Sequence, residues 1–260
     1  MKRLHKCIAA MLLCSLCFSA HAGHFALSNV LAGGYFDGQW LSPSQLRGPT
    51  HLWGGENMVF WHPDGKQGSG VATAISRDHP AEEHPGWKMT IDAPTFDIQT
   101  GNGMTYGYPS HLLAMTHADW HVMPRKAVSM SANNGQYRAL VADFLVSRGL
   151  PSDGVALTRI DKIDLDGNGT DEVVIVGRSH GGKVPFALLR QIQVKSVATS
   201  VLSEPEHGKV EDLYYADFNG DGSMEVIIGS RSASKYRQAV YTVCNGDADR
   251  KIENIWELLK

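Results

Sequence analysis

The sequence predicts a mainly β protein with one clear α-helix, and three observations carry that expectation. Short alternating or β-branched runs, separated by Gly, Pro, Asn and Asp turns, fill most of the chain. A sustained helical stripe occurs in one stretch, 136–148. Between Ile160 and Ser232 a strand–loop–strand pattern is written twice, displaced by 53 residues. The expected organisation is a leader at 1–22, an N-terminal antiparallel β domain at 23–134, and a helix followed by two repeated β units at 135–260.

The chain opens with Lys2, Arg3 and Lys6, an apolar run from Cys7 to Phe18, and Ala20-His21-Ala22. A basic start, a short apolar run and a small-x-small site make a secretory signal peptide. The run falls short of the roughly 20 apolar residues that span a bilayer, and no transmembrane segment is expected. Lipid attachment at Cys17 is the rival reading, and bulky Leu16 stands against it. Cleavage after Ala22 sends the protein to the periplasm or outside the cell. It also moves the formal net charge from −3 to −6, because three of the 24 basic residues and none of the 27 acids leave. That balance argues against nucleic acid, whose phosphates attract concentrated Lys and Arg. Of four cysteines only Cys244 lies beyond the leader, so no intramolecular disulfide is expected. Within Ala239–Cys244 it alternates like a strand residue, and we expect it buried and inert.

From Gly23 to Asn134 the punctuation is that of β-structure. Tyr35-Phe36-Asp37-Gly38-Gln39-Trp40 sets Asp-Gly between aromatic arms, a hairpin signature. Met58–His62 and Val71–Ser76 flank the turn Pro63-Asp64-Gly65, where preset φ, an Asx bond and a permissive Gly follow one another. Met89–Ile98 alternates around Pro94, and Gly101-Asn102-Gly103 turns the chain towards Met104–Tyr108. The helix from Gln136 to Arg148 aligns Tyr137, Leu140, Val141, Phe144 and Leu145 on one face. Asn133 and Asn134 offer caps, Gly149 suits the left-handed C-terminal position, and Pro151 stops continuation.

After the helix the chain repeats itself. Ile160, Asp164, Gly167, Glu172, Val173 and Ile175 recur as Leu213, Asp217, Gly220, Glu225, Val226 and Ile228. Strand-like runs follow each copy, at Phe186–Val194 and Val197–Leu202, then at Gln238–Val243 and Ile252–Leu259. Two units result, at about 155–207 and 208–260. Each loop carries oxygen side chains at positions one, three, five and nine, the arrangement that wraps a hard divalent cation. Asp164, Asp166, Asn168 and Glu172 supply side-chain oxygens in the first, with the Thr170 carbonyl as a further ligand. Asp217, Asn219, Asp221, Glu225 and the Ser223 carbonyl do so in the second. Asp171 adds charge to the first loop. Calcium is the expected ion, about two per chain. An EF-hand fails on two counts: its position-twelve Glu is Ile175 or Ile228 here, and strands flank the loops.

Asp-x-Asp-Gly-Asn-Gly at 164–169 and Asp-x-Asn-Gly-Asp-Gly at 217–222, each leading into a Glu-Val strand, resemble the calcium loops of FG-GAP/VCBS-type repeats. The resemblance covers about Val155 to Lys260. It implies propeller-blade-like β units, structural calcium, and a role in adhesion or ligand binding. The Phe-Gly-Gly-Ala-Pro portion of that repeat is absent, position nine is Glu where Asp is usual, and two copies are too few for the four to eight blades of a propeller. The expected fold is therefore two propeller-blade-like repeats that do not close into a propeller.

Two clusters in the N-terminal half are candidate sites. Trp40, Trp53, Trp61, Trp87 and Trp120, with Tyr35, Tyr106 and Tyr108, could stack on sugar faces or fill a core. His117, Asp119 and His121 share a face if extended, with His111 near in sequence, and their donors would suit zinc or copper. The favoured function is a non-enzymatic, exported calcium-binding repeat protein that contacts a glycan or protein partner. The alternative is a hydrolase or metal-dependent enzyme working around His111, His117, Asp119 and His121.

Overall fold

A computed structural model describes residues 23–27, 30–36, 38–42, 45, 56–61, 67–77, 87–92, 113–116, 120–192, 197–244 and 247–257. Residues 1–22, where a leader is expected, the turns at 63–65 and 101–103, and the run 104–108 lie outside the described residues. The described residues are mainly β with one α-helix, and their strands form three antiparallel sheets.

The N-terminal sheet holds β1 (Gly23–Leu27), β2 (Val30–Phe36), β3 (Gln39–Leu41), β4 (Glu56–Trp61), β5 (Gln67–Arg77), β6 (Trp87–Asp92) and β7 (Leu113–Thr116). Its order is β1-β7-β4-β5-β6-β2-β3. β1 also pairs with β2 over five residue pairs, and among the described residues β6 meets β2 at the single pair Val30–Lys88. The Asp-Gly hairpin forms as expected. Phe36 faces Gln39, Gly38 has φ +79°, and the Tyr35 and Trp40 rings lie 5.0 Å apart.

The first repeat sheet is β8 (Val128–Ser129), β9 (Ala156–Ile163), β10 (Glu172–Ser179), β11 (Val184–Ile192) and β12 (Val197–Ser203), in the order β12-β11-β10-β9-β8. The second is β13 (Lys209–Ala216), β14 (Glu225–Arg231), β15 (Lys235–Cys244) and β16 (Asp247–Glu257), paired in sequence order. The duplicated pattern thus becomes two four-stranded meanders, with β8 added to the first. Neither sheet closes into a barrel or propeller. β11 ends at Ile192 and β16 begins at Asp247, where the sequence suggested Val194 and Ile252.

Helix α1 (Gly135–Ser147) begins one residue before the stripe because Asn134 caps it. The Asn134 side chain accepts from Gln136 N and Tyr137 N, each at 3.1 Å. Gly149 takes φ +70° beyond its C-terminus, and Leu150 N returns to Leu145 O at 2.9 Å. Val141 and Leu145, buried on the helix, pack with Ile160, Val173, Ile175, Phe186 and Leu188 on one face of the first repeat sheet.

The opposite face of that sheet, with Ile163, Val174, Val176, Ala187 and Leu189, packs on Leu213, Tyr215, Val226, Ile228, Ala239 and Tyr241 of the second. The far face of the second sheet (Tyr214, Ile227, Val240 and Ile252) is covered by Val122, Trp120, Met123 and Trp40. β10 and β14 are therefore buried on both faces, which is why Val173–Val176 and Val226–Ile228 read as unbroken apolar runs. Val173 and Ile175 point to the helix, whereas their counterparts Val226 and Ile228 point to the first sheet. The repeats stack head to tail.

Segment 120–134 belongs with these sheets. β8 pairs with β9, and Met130 N donates to Ile160 O at 2.8 Å. The repeat body therefore takes in residues on the N-terminal side of the break expected at 134.

One expectation is corrected. Cys244 is exposed, not buried. It ends β15 beyond the reach of the covering layer, so the alternation that buries Val240 and half-buries Thr242 leaves the thiol in solvent.

Between the two sheets lies a polar knot the pattern did not announce. Asp161, fully buried, accepts from Tyr215 Oη at 2.9 Å, Ser129 Oγ at 2.8 Å and Arg159 Nε at 2.6 Å. Burial raises the Tyr215 hydroxyl well above its ordinary pKa, and the Asp161 charge adds to this, so Tyr215 donates at every ordinary pH. Asp161→Ala should cost about 2 kcal/mol, less than the 3–5 kcal/mol of a fully buried pair because Arg159 is half-exposed. Urea denaturation is the check, with a lower midpoint at an unchanged slope as the expected result.

Candidate metal centre

The two Asp-rich loops connect β9 to β10 and β13 to β14, and each is folded by its own acids. In the first, Asp164 accepts from Asn168 N and Gly169 N, both at 3.0 Å. In the second, Asp217 accepts from Gly220 N at 2.7 Å and Gly222 N at 2.9 Å. Position nine closes each turn: Glu172 accepts from Leu165 N at 2.6 Å, and Glu225 from Phe218 N at 2.8 Å. Gln191 Nε2 donates to the other Glu172 oxygen.

Positions three and five exchange roles between the copies. Asn168 Nδ2 donates to Asp166 at 2.8 Å, and Asn219 Nδ2 donates to Asp221 at 2.9 Å. Each loop therefore keeps one charge and one amide there. Thr170 and Ser223 follow in Asx-type turns, with their N–H groups bonded to Asn168 Oδ1 and Asp221 Oδ1, both at 2.7 Å.

Oxygens of Asp164, Asp166 and Glu172 come within 4.8 Å of one another, an acidic triad that could hold a metal ion. Among the described residues it is the group of acids that converges this closely. The second loop puts Asn219 where Asp166 stands and carries its third acid, Asp221, at position five. Asp171 turns away to Lys162 at 3.0 Å and is no part of the triad.

The loops differ in cover. The first is open, with residues 167–171 exposed. The second is roofed by Trp120, whose indole donates to Asp217 O at 2.9 Å and whose ring lies against Gly220. Tyr35 is near enough that Asp221 and Glu225 add to the burial that raises its hydroxyl pKa. These aromatics were read from the sequence as sugar-stacking or core candidates. Trp40 and Trp120 act in packing, and no side chain is described for Trp53, Trp61, Trp87, Tyr106 or Tyr108.

Arg125 and Val122 went unnoticed in the sequence. Arg125 Nη2 donates to Leu165 O at 3.0 Å and to Gly222 O at 2.7 Å, and Val122 O accepts from Asp217 N at 2.7 Å. A single arginine and an apolar residue in a loop carry no pattern that could have singled them out. Of the histidine cluster only the exposed His121 is described. His111, His117 and Asp119 lie outside the described residues.

No protein-family model, curated protein or solved structure matches the chain. Fold and site together define a mainly β protein of two stacked repeat sheets, with an acidic triad fit for a cation in the first connecting loop.

The carboxyls show what a cation would relieve. Burial raises Asp217 from 3.8 to about 6, with Asp221 adding to the effect. Glu225 is pushed well above its ordinary value by burial, then by Asp221 and Asp217, and Glu172 is raised by burial and Asp166. A raised folded pKa gives stability that is full below the unfolded value and is lost as pH climbs through the folded one. For Asp217 that window runs from 3.8 to about 6. Chelator-treated protein should therefore lose about 1.5 kcal/mol through Asp217 alone between about pH 5 and about pH 7.5. Saturating calcium should flatten or reverse the slope. Melts across that range, with and without calcium, are the check.

Proposed function

We propose that this chain is an exported calcium-binding repeat protein that serves as a binding or adhesion module for a glycan or protein partner. Its calcium is structural. The observation that carries the reading is the convergence of Asp164, Asp166 and Glu172 in a loop whose counterpart recurs on the next sheet. The donors are all oxygen, which suits a hard cation and disfavours zinc or copper. Asp164, Asp166, Asn168, Glu172 and the Thr170 carbonyl would hold one ion. Asp217, Asn219, Asp221, Glu225 and the Ser223 carbonyl would hold the other. Their likeness to FG-GAP/VCBS calcium loops supports the adhesion role, and the leader supports export to the periplasm or beyond.

The ion contributes by neutralising carboxylates that otherwise repel. Extracellular calcium modules have Kd values of ~10⁻⁴ to 10⁻³ M. At ~1 mM calcium and Kd ~10⁻⁴ M, each site stabilises the fold by about 1.4 kcal/mol. Two sites supply about 3 kcal/mol of a typical 5–15 kcal/mol.

Chelation at constant ionic strength should lower the melting temperature by several degrees, and Asp164→Ala with Asp217→Ala should reproduce most of that loss. An unchanged melt, in protein free of tightly held metal, would sink the calcium reading. Elemental analysis of the purified protein should find about two calcium ions per chain. Stoichiometric zinc, copper or iron would instead favour an enzyme.

A further inference from the structure

The two loops are separate in sequence but share hydrogen bonds. Glu172, at position nine of the first loop, holds the N–H of Leu165. The carbonyl of Leu165 accepts from Met224 N at 2.7 Å, and Met224 immediately precedes Glu225, position nine of the second loop. Few covalent bonds and two hydrogen bonds therefore separate one closing carboxylate from the backbone that carries the other.

Arg125 adds a second link. One nitrogen, Nη2, binds Leu165 O of the first loop and Gly222 O of the second. Neither carbonyl belongs to the proposed ligand set, so the guanidinium ties the loops without competing for an ion. It lies against Gly167, where a Cβ would come 3.1 Å from Nη1. Trp120 lies in the same way against Gly220, the equivalent glycine of the second loop, at 3.2 Å. Both glycines have positive φ, +73° and +74°, which an L side chain adopts only with strain. The irregular strap from Trp120 to Arg125 thus presses one side chain onto the equivalent glycine of each loop.

We infer that the two loops bind cations with positive coupling, transmitted by the Leu165 carbonyl and by Arg125. The inference rests on the cation reading above and adds to it how the sites regulate one another. An ion in the second loop fixes Gly222 and Met224. That fixes Leu165, and with it the position of the Glu172 carboxylate. The ordering cost met by the first ion is not met again by the second. Reciprocity follows, because coupling between two binding equilibria is the same in either direction. Repulsion between the two ions opposes the effect, and the Asp164, Asp166 and Glu172 carboxylates reduce it at the first loop.

The test is calorimetric titration of the full chain, stripped with chelator, with calcium chloride. The unaltered protein should take up two ions. Asp217→Ala removes the second site and should weaken the first about fivefold, the lower end of common coupling strengths. Arg125→Met keeps the side-chain stem and removes the donors. In that background the Asp217→Ala effect should shrink to about twofold, as a double-mutant cycle reads it. Circular dichroism establishes that each variant folds, and Asp221→Asn serves if Asp217→Ala does not. Two ions bound with the first site unmoved by Asp217→Ala would overturn the coupling and leave the cation reading standing. A fivefold effect that persists in Arg125→Met would remove Arg125 from the path. No calcium uptake by the unaltered protein would end both.

Discussion

Glu172 and Glu225 carry carboxylates into the interior as the first residues of the two central strands, and the surrounding structure depends on that burial. Each strand is covered on both faces, so neither side chain can turn out to water. A buried ionised group is costly unless donors or a cation compensate it. The loop before each strand supplies the donor, the N–H seven residues earlier, and that bond closes the loop. Closure then sets where the preceding strand enters the sheet. The apolar layers and the acidic loops are thus consequences of one constraint rather than two independent features.

The two loops are equivalent in sequence and unlike in setting. The first faces solvent and gathers three acids. The second lies beneath Trp120, with Tyr35 and Trp40 of the N-terminal sheet close by. That aromatic cover excludes water from Asp217 and Asn219, both buried, and explains why burial raises the Asp217 carboxyl. The N-terminal sheet is therefore in touch with the state of the second loop, and the strap 120–125 touches both.

The repeat was legible because it is written in local chemistry. Loop oxygens at fixed spacing, the glycines between them and the β-branched runs after them all declare themselves within a few residues. The helix announced itself through a stripe and a cap in the same way. The knot around Asp161 did not, because Ser129 reaches it only once β8 pairs with β9, and Tyr215 only once the two sheets have stacked. Arg125 was hidden for the same reason, since its value lies in two carbonyls contributed by separate repeats. Trp120 was visible as a ring but not as a lid, because composition records area and not orientation. Cys244 shows the limit of alternation. Period two says which face a residue takes, but not where the covering layer on that face ends.

Head-to-tail stacking gives the pair of sheets a direction. In such a translational contact the front of one unit always leaves another front unmatched, so nothing in the contact itself halts the series. Here the halt comes from outside the repeats. An amphipathic helix shuts one end, and the Val122–Met123 segment with two indoles shuts the other. The terminators are chemically unlike because the two surfaces they cover are unlike. Lengthening at either end would expose a terminator's apolar face, whereas the junction between Ser203 and Lys209 already has the matching surface on each side. Growth of this architecture by duplication is therefore confined to its middle.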